Sequence, residues 1–222
     1  DVYKRQTLNT GGTTTYAWTN DNAAIGLSDA GTENISEFSG VNEGDVPINA
    51  TIEVIPSFEE NGIICSGDPI NFIITINPDA QVNEIDDLVY NDGDLVQIPF
   101  SSSNLGGENT YEWTSTDPST GMESSGSGNI EFIATNTGNN PIVTIVTVIP
   151  SFENGGITNT GNPETFTITV NPVPQVESIL NIIICAGEEI EDINFSTLNT
   201  GGTTTYAWTN NNPAIGLAAS GT

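Results

Sequence analysis

A tyrosine and a tryptophan two positions apart recur at a constant spacing, and this spacing sets the size of the folding unit. Successive tryptophans lie 95 residues apart, and the fourteen residues from Thr7 to Asn20, TLNTGGTTTYAWTN, occur again unchanged from Thr197 to Asn210. The three aromatic pairs are Tyr16 and Trp18, Tyr111 and Trp113, and Tyr206 and Trp208. This period is longer than a solenoid repeat and matches a whole small domain, so the sequence predicts an array of similar domains.

Two further landmarks place the boundaries of the repeats. The pentapeptide VIPSF begins at Val54 and again at Val148, and an Asn-Pro pair ends at Pro78 and again at Pro172, in both cases 94 residues later. Proline restricts itself and the residue before it to extended conformations, so we expect the linkers to join neighbouring repeats semi-rigidly. The predicted units are a first repeat at 7–78 that lacks its N-terminal strands, a complete middle repeat at 79–172, and a third repeat at 173–222 that lacks its C-terminal half.

The opening hexapeptide, DVYKRQ, does not follow the repeat. It contains both basic residues of the chain, Lys4 and Arg5, and the alignment of Thr7 with Thr197 sets Arg5 against Phe195, where an apolar strand residue is expected. We interpret residues 1–6 as a non-native leader, such as a sequencing or assembly scar, and exclude them from the fold prediction.

Short alternating runs separated by turn residues predict β-strands throughout the chain. In PETFTITV, Phe166, Ile168 and Val170 point to one side and the intervening threonines to the other, as in a half-buried strand. The run PIVTIVTVIP is more apolar on both sides, so we expect a more covered strand there. Clusters of Gly, Asn, Ser and Asp separate the runs. The complete repeat therefore predicts about six or seven strands and an all-β fold of tandem immunoglobulin-like antiparallel β-sandwiches.

The six repeated aromatic residues are predicted to belong to the core of their repeats. Residues two apart in a strand share a face, so the tyrosine and the tryptophan of each pair can both point into the space between two sheets. The alternative is a platform on which the aromatic rings stack against a sugar.

Composition excludes several classes of function. The chain has 29 acidic and 2 basic side chains and no histidine, for a formal net charge of -27. A field of this sign repels nucleic-acid phosphates and anionic lipid, and no apolar run is long enough to span a membrane, so we expect no nucleic-acid partner and no membrane insertion. Without histidine there is no Ser-His or Cys-His nucleophile, and the carboxylates are scattered over turns and strand faces. We therefore expect no enzymatic activity and no catalytic residues.

Five carboxylates early in the middle repeat are the candidate metal ligands. The segment NEIDDLVYNDGD supplies Glu84, Asp86, Asp87, Asp92 and Asp94. Clustered carboxylate oxygens are the ligands that Ca²⁺ prefers, although the spacing does not fit the twelve-residue EF-hand loop. The alternative is a solvated acidic edge that discourages aggregation between strands. Calcium is the only cofactor for which the sequence offers candidate ligands.

The two cysteines occupy different places in the repeat. Cys65 aligns with Asn159 and Cys185 with Asn91, so one lies late in its repeat and the other early. We predict that they do not pair with each other and that their disulfide partners lie outside the sequence. Two unpaired thiols that pack in the core are the alternative. Disulfides would indicate an oxidising compartment such as the periplasm or the cell exterior.

Several short motifs together resemble a known family. The run Tyr-x-Trp-Thr is followed by NDNAAIGLSDAGT, NISEF, VIPSF, ICSGDP and FIITINP, which is similar to the PKD-like repeat of secreted and cell-surface proteins of Bacteroidota. The resemblance covers Thr7 to Thr222. The chain departs from ordinary PKD domains because the turn YxWDFGDG is absent and because the middle repeat has neither cysteine.

The resemblance implies a module on the outside of the cell. Members of this family carry many tandem copies, often ahead of a gliding-motility-associated C-terminal domain that directs export by the type IX secretion system. The implied function is a non-catalytic spacer or stalk whose partners are the neighbouring repeats of the same chain. The alternative is an adhesin module that binds an extracellular glycan or protein through variable loops such as SSSNLGGEN and STGMESSGSGN.

Overall fold

A computed structural model describes residues 8–222, so the leader predicted at residues 1–6 lies outside the described residues. Tertiary contacts divide the chain into two compact units. The first contains the described residues up to Asn83 together with Ser101–Thr110 and Pro150–Asn162; the second contains Glu84–Phe100, Tyr111–Ile149 and Pro163–Thr222. Both units include parts of the middle repeat, so the repeat boundaries remain a prediction from the sequence.

Five strands before residue 77 form one antiparallel sheet in the first unit. They are β1 (Thr13–Asn20), β2 (Ala30–Thr32), β3 (Ile48–Glu60), β4 (Ile63–Ser66) and β5 (Ile70–Ile76). The sheet order is β2-β1-β3-β4, and β5 pairs with the N-terminal half of β3 while β4 pairs with its C-terminal half. Alternate residues of β1 and β3 point inward, so Trp18, Ala50 and Ile52 form a buried cluster with Ile25 and Leu27.

Ten further strands follow along the chain. They are β6 (Leu88–Asn91), β7 (Leu95–Ile98), β8 (Glu108–Ser115), β9 (Ser125–Ser127), β10 (Ile130–Ile133), β11 (Ile142–Asn154), β12 (Ile157–Thr160), β13 (Glu164–Asn171), β14 (Trp208–Thr209) and β15 (Ser220–Gly221). One sheet has the order β6-β13-β11-β8-β9, with β12 paired to the end of β11; β7 pairs with β10, and β14 pairs with β15. The pairing of β6 with β13 is parallel. The predicted all-β fold, rich in antiparallel sheet and sandwich-like, is confirmed.

Alternation correctly predicted the inward face of β13, because Phe166, Ile168 and Val170 are buried. Val96 of β7 and Ile130 of β10 are buried as well. Buried side chains therefore come from both sheets of this region, as a sandwich requires.

Two sequence-based expectations about strands were wrong. The strand β11 is covered on one face only, because Val143 and Ile145 are 50% and 47% exposed while Thr144, Val146 and Val148 are buried. Apolar side chains on one face of an antiparallel strand can face solvent, and composition does not distinguish the two faces. The middle repeat also has eight strands, β6 to β13, because Ser125–Ser127 forms a strand inside a segment that its glycines and serines marked as a loop.

Elements recur along the chain at the spacing of the sequence repeat. The strands β1 and β8 begin 95 residues apart, and β3 and β11 begin 94 residues apart. Three short 3-10 helices also recur at 95 residues, at Ala23–Ile25, Pro118–Thr120 and Pro213–Ile215. Each is followed by a glycine in the left-handed region, where a side chain would be strained.

Candidate functional site at the repeat boundaries

A buried asparagine anchors the segment that follows the first boundary. Asn104 is 1% exposed. Its Nδ2 donates to the carbonyl of Asp79 at 3.1 Å, and its Oδ1 accepts from the backbone N–H of Gln81 at 2.8 Å and from the hydroxyl of Ser102 at 3.0 Å. The linker is therefore bound to the body of the middle repeat by side-chain and backbone groups that would otherwise lack partners.

The same arrangement occurs at the second boundary. Asn199 lies 95 residues after Asn104, and its Nδ2 donates to the carbonyl of Val173 at 3.1 Å. Its Oδ1 accepts from the N–H of Gln175 at 2.7 Å and from the hydroxyl of Thr197 at 2.9 Å. Asn199 is half-buried, whereas Asn104 is buried, but each hydrogen bond of Asn199 has an equivalent at Asn104.

A backbone hydrogen bond joins the two sides of each boundary. The N–H of Leu105 donates to the carbonyl of Asp45 at 2.8 Å, and the N–H of Thr200 donates to the carbonyl of Asn139 at 2.9 Å. Each bond connects the loop after the anchoring asparagine to the preceding repeat. A backbone bond does not depend on side-chain identity, which explains why Leu and Thr can occupy equivalent positions.

Glycine permits this close approach. A Cβ at Gly106 would lie 3.0 Å from Cδ of Pro47, and one at Gly201 would lie 2.9 Å from Cδ of Pro141. Both glycines also have positive φ, at 83° and 78°. A larger residue would therefore be strained and would press on the proline of the preceding repeat.

The first boundary has additional side-chain contacts. Nδ2 of Asn154 donates to Oδ1 of Asn77 at 2.9 Å, and Nδ2 of Asn77 donates to the carbonyl of Asn154 at 3.2 Å. Nδ2 of Asn159 donates to the carbonyl of Pro78 at 2.9 Å. These amides bind the Asn-Pro pair that closes the first repeat to the middle repeat.

A cleft lies beside each boundary. The first has a volume of about 770 Å³ and is lined in part by Pro47 and Asn77, and the second has about 610 Å³ and is lined in part by Pro141 and Asn171. Pro47 and Pro141 are equivalent in the repeat, and so are Asn77 and Asn171, whereas the other lining residues differ. Both boundaries thus share the hydrogen bonds of the anchoring asparagine and a cleft beside an equivalent proline and asparagine.

The predicted core aromatics are buried to different extents. Trp18 and Trp113 are buried, whereas Tyr16, Tyr111, Tyr206 and Trp208 are half-buried. Two of the tyrosines pack at a tilt against a phenylalanine of their own repeat, with ring centroids 5.4 Å apart for Tyr111 and 5.6 Å apart for Tyr206. The tyrosines lie at the margin of the core because the ring ends in a hydroxyl that favours a polar environment.

A glycine faces each tryptophan across the sheet. A Cβ at Gly126 would lie 2.7 Å from Cε2 of Trp113, and one at Gly221 would lie 2.6 Å from Cε2 of Trp208. Gly31 faces Trp18 in the same way. The indole therefore lies flat over the partner strand, and Nε1 of Trp113 donates to the carbonyl of Gly128 at 3.1 Å. This contact accounts for the glycine-containing strand that the sequence prediction missed.

The five candidate calcium ligands are not brought together. Among residues 8–222, no three Asp, Glu or Cys side chains are grouped so that they could hold a metal ion. Instead, Oδ1 of Asp92 accepts from the N–H of Asn136 at 2.6 Å and Oδ2 of Asp94 accepts from the N–H of Asn91 at 2.7 Å. Glu84 and Asp86 are exposed. In this arrangement Asp92 and Asp94 bind backbone N–H groups.

The fifth candidate, Asp87, binds β13. Its Oδ1 accepts from the N–H of Thr167 at 2.7 Å, and this backbone hydrogen bond, together with one from the Thr167 hydroxyl, holds the pKa of Asp87 below its ordinary value. The hydroxyl and the N–H of Ser119 lower the pKa of Asp117 at the start of a 3-10 helix in the same way. Both shifts arise because the hydrogen bonds favour the charged form.

Both cysteines are exposed free thiols. Cys65 lies in β4, and Cys185 lies in a turn where its N–H donates to Oε2 of Glu188 at 2.8 Å. The predicted pairing with residues outside the sequence stays a prediction.

The anchoring asparagines were missed by the sequence analysis. A signal for them was present, because Asn104 and Asn199 precede the double glycine by two residues in their repeats. Asn42 and Asn136 are a second such pair, 94 residues apart. Nδ2 of Asn42 donates to the carbonyl of Ile76 at 2.9 Å, and Nδ2 of Asn136 donates to the carbonyl of Val170 at 2.7 Å. Repeated asparagines two residues before a glycine thus mark places where a loop is hydrogen-bonded to the backbone of another segment.

Comparison with known proteins yields no assignment: no protein-family model matches the chain, and no curated protein matches it. No helix among residues 8–222 is both long and apolar enough to cross a membrane.

Proposed function

We propose that the chain is part of a non-catalytic spacer in a large secreted or cell-surface protein built from immunoglobulin-like, PKD-like repeats. The observation that carries this proposal is the recurrence of the boundary contacts. Asn104 and Asn199 bind the linkers with the same donors and acceptors, and the N–H groups of Leu105 and Thr200 bind the preceding repeat in the same way.

Recurrent joints are what a spacer needs. Domains joined by a bare linker move independently by default, so a linker held by hydrogen bonds on both sides restricts the orientations that successive repeats can adopt. When every boundary has the same contacts, each added repeat extends the array by the same step. The partners of each repeat are then its neighbours in the chain, and an acidic surface keeps the array soluble outside the cell.

The proposal can be tested by lengthening the array. One and then two extra copies of residues 79–172 would be inserted after Pro172, and the maximum dimension would be measured by small-angle X-ray scattering. We expect equal increments for each added copy. A matched control replaces the Asn-Pro pair at every boundary, by Asn77→Gly with Pro78→Ser and by Asn171→Gly with Pro172→Ser in each copy. It should give increments that shrink with number, as in a flexible chain.

A glycan array separates the spacer from an adhesin. A spacer gives no saturable signal, whereas an adhesin gives saturable binding that rises with the number of repeats. Saturable glycan binding by the chain, or unequal increments in the lengthening series, would contradict the proposal.

A further inference from the structure

The tripeptide Glu-Asn-Gly occurs twice, each time at the hairpin that follows a long strand. Asn61 and Gly62 form the turn between β3 and β4, and Asn154 ends β11 directly before Gly155. No other asparagine of the chain precedes a glycine. Asparagine before glycine is the pair most prone to intramolecular deamidation, because glycine has no side chain to hinder its own backbone nitrogen.

The reaction needs the asparagine, the next backbone N–H and water. The glycine nitrogen attacks Cγ of the asparagine, the Cγ–Nδ2 bond breaks, and ammonia leaves, which gives a succinimide ring. Water then opens the ring in one of two ways. Cleavage between the nitrogen and Cγ gives aspartate, and cleavage between the nitrogen and the main-chain carbonyl carbon gives isoaspartate. Either product carries a carboxylate where the amide was.

The side chain of Asn61 is free to react. It is exposed and has no hydrogen-bond partner among residues 8–222. Asn61 and Gly62 have φ angles of 52° and 80°, as expected for the two central residues of a tight hairpin turn. The same openness occurs in the middle repeat, where no heavy atom would lie within 4 Å of a Cβ at the equivalent Gly155. The turn itself therefore exposes Asn61.

The side chain of Asn154 is held at both its amide and its carbonyl group. Its Nδ2 donates to Oδ1 of Asn77 at 2.9 Å, and its main-chain carbonyl accepts from Nδ2 of Asn77 at 3.2 Å. Asn154 is also half-buried. To bring Cγ against the nitrogen of Gly155, the side chain or the main chain must rotate, and rotation breaks these bonds.

We propose that Asn61 is a site of spontaneous deamidation and that Asn77 protects Asn154 from the same reaction. Each hydrogen bond lowers the population of the released side chain by about fivefold, so the two together should slow the reaction at Asn154 by about 25-fold. Reaction at Asn154 replaces the Nδ2 donor by an oxygen that faces Oδ1 of Asn77, so this contact is lost for good. The inference concerns a chemical modification and does not depend on the spacer function.

Peptide mapping of the full chain measures both sites. The protein is incubated at mildly alkaline pH, where the attacking nitrogen loses its proton more readily, and is then digested with chymotrypsin. Cleavage after the phenylalanines on either side releases each Glu-Asn-Gly in a separate peptide. Mass spectrometry measures deamidation, and an isoaspartyl methyltransferase detects isoaspartate. We expect isoaspartate to accumulate in the peptide with Asn61 while the peptide with Asn154 stays largely unchanged.

Variants at Asn77 test the protection. Asn77→Ala removes both hydrogen bonds and should raise the rate at Asn154 by about 25-fold, whereas the rate at Asn61 should not change. Asn77→Asp retains the acceptor for Nδ2 of Asn154 but not the donor to its carbonyl, so the rise should be about fivefold. Asn61→Gln should remove isoaspartate from the first peptide, because glutamine has to close a larger ring. An unchanged urea midpoint of each variant checks that it is folded.

Concentrated urea separates folded contacts from local sequence. Both sites share the tripeptide Glu-Asn-Gly, so in the unfolded chain they should react at similar rates. Rates that differ in urea as much as in the folded chain would show that local sequence, and not Asn77, sets the difference. The proposal is also overturned by equal rates at Asn61 and Asn154 in the folded chain, by an absence of isoaspartate at Asn61, or by a folded Asn77→Ala variant with an unchanged rate at Asn154.

Discussion

Replacing Gly107 with alanine should destabilise the protein, whereas the same change at the equivalent Gly202 should not. A Cβ at Gly107 would lie 2.8 Å from Cε2 of Phe152 and closer still to the carbonyl oxygen of Glu153. Phe152 is fully buried and the carbonyl belongs to the backbone, so neither can move aside without separating β8 from β11. Overpacking of this kind costs about 1–3 kcal/mol of the free energy of unfolding.

Gly202 has the opposite environment, although its neighbours in sequence are similar. No heavy atom of the described residues would lie within 4 Å of a Cβ there. Alanine at such a site reduces the freedom of the unfolded chain and should stabilise by about 0.4–1 kcal/mol. The pair thus separates a steric effect from the intrinsic effect of replacing glycine.

Urea unfolding followed by tryptophan fluorescence measures both changes. With a slope of about 2 kcal/mol per molar urea, Gly107→Ala should lower the midpoint by about 0.5–1.5 M, and Gly202→Ala should leave it unchanged or raise it slightly. Gly12→Ala should behave like Gly107→Ala, because a Cβ there would lie 2.6 Å from Cζ of Phe58. Equal shifts for Gly107→Ala and Gly202→Ala would refute the packing argument.

Three further predictions concern hydrogen-bonded side chains. Asn104→Ala should lower the free energy of unfolding by about 3 kcal/mol, because three hydrogen bonds of about 1 kcal/mol each are lost. Asn199→Ala should lower it by less, because Asn199 is only half-buried. Equal losses of the two variants in urea unfolding would contradict the argument from burial. The lowered pKa of Asp117 means that its carboxylate stabilises the fold above the ordinary value of 3.8 and that this contribution is lost as pH falls through the lower folded value. Asp117→Asn should therefore weaken the acid dependence of the urea midpoint between about pH 7 and pH 2, and an unchanged dependence would count against it. Asp92→Asn retains an oxygen acceptor, so its melting temperature should equal that of the original chain both with calcium and with chelator, whereas Asp92→Ala should melt at a lower temperature. A lower melting temperature of Asp92→Asn in calcium buffer alone would instead support a calcium site.

The strands and their inward faces were predictable because alternation is a local property. Phe166, Ile168 and Val170 were placed correctly from the letters of one strand alone. Trp18 and Trp113 were likewise placed in the core from their repeat and their aromatic character. In each case the deciding physics, burial of one face, acts on neighbouring residues of one segment.

The remaining features depend on contacts between distant segments. The exposure of the outer face of β11 could not be predicted from its apolar residues. Val143 and Ile145 are exposed because no second layer covers them, and the sequence of one strand does not show which face is covered. The strand at Ser125–Ser127 exists because Gly126 lies under Trp113, a pairing that composition does not encode.

The boundary site was predictable only in part. The recurrence of Asn104 and Asn199 is visible in the sequence, but their partners are backbone carbonyls and N–H groups of Asp79, Gln81, Val173 and Gln175. Every residue has such groups, so the letters alone cannot select them. The hydrogen bonds of two candidate calcium ligands were not predictable for a related reason, since Asp92 and Asp94 accept from backbone N–H groups that the sequence does not identify.

The most direct test of the recurrent boundary is a distance measurement across both boundaries. Spin labels at Thr19 and Thr114 in one sample, and at Thr114 and Thr209 in another, occupy equivalent exposed positions in successive repeats. In a Cys65→Ser, Cys185→Ser background, pulsed electron paramagnetic resonance should give two narrow distance distributions with the same peak. Broad distributions, or two narrow peaks at different distances, would contradict a spacer built from one repeated joint.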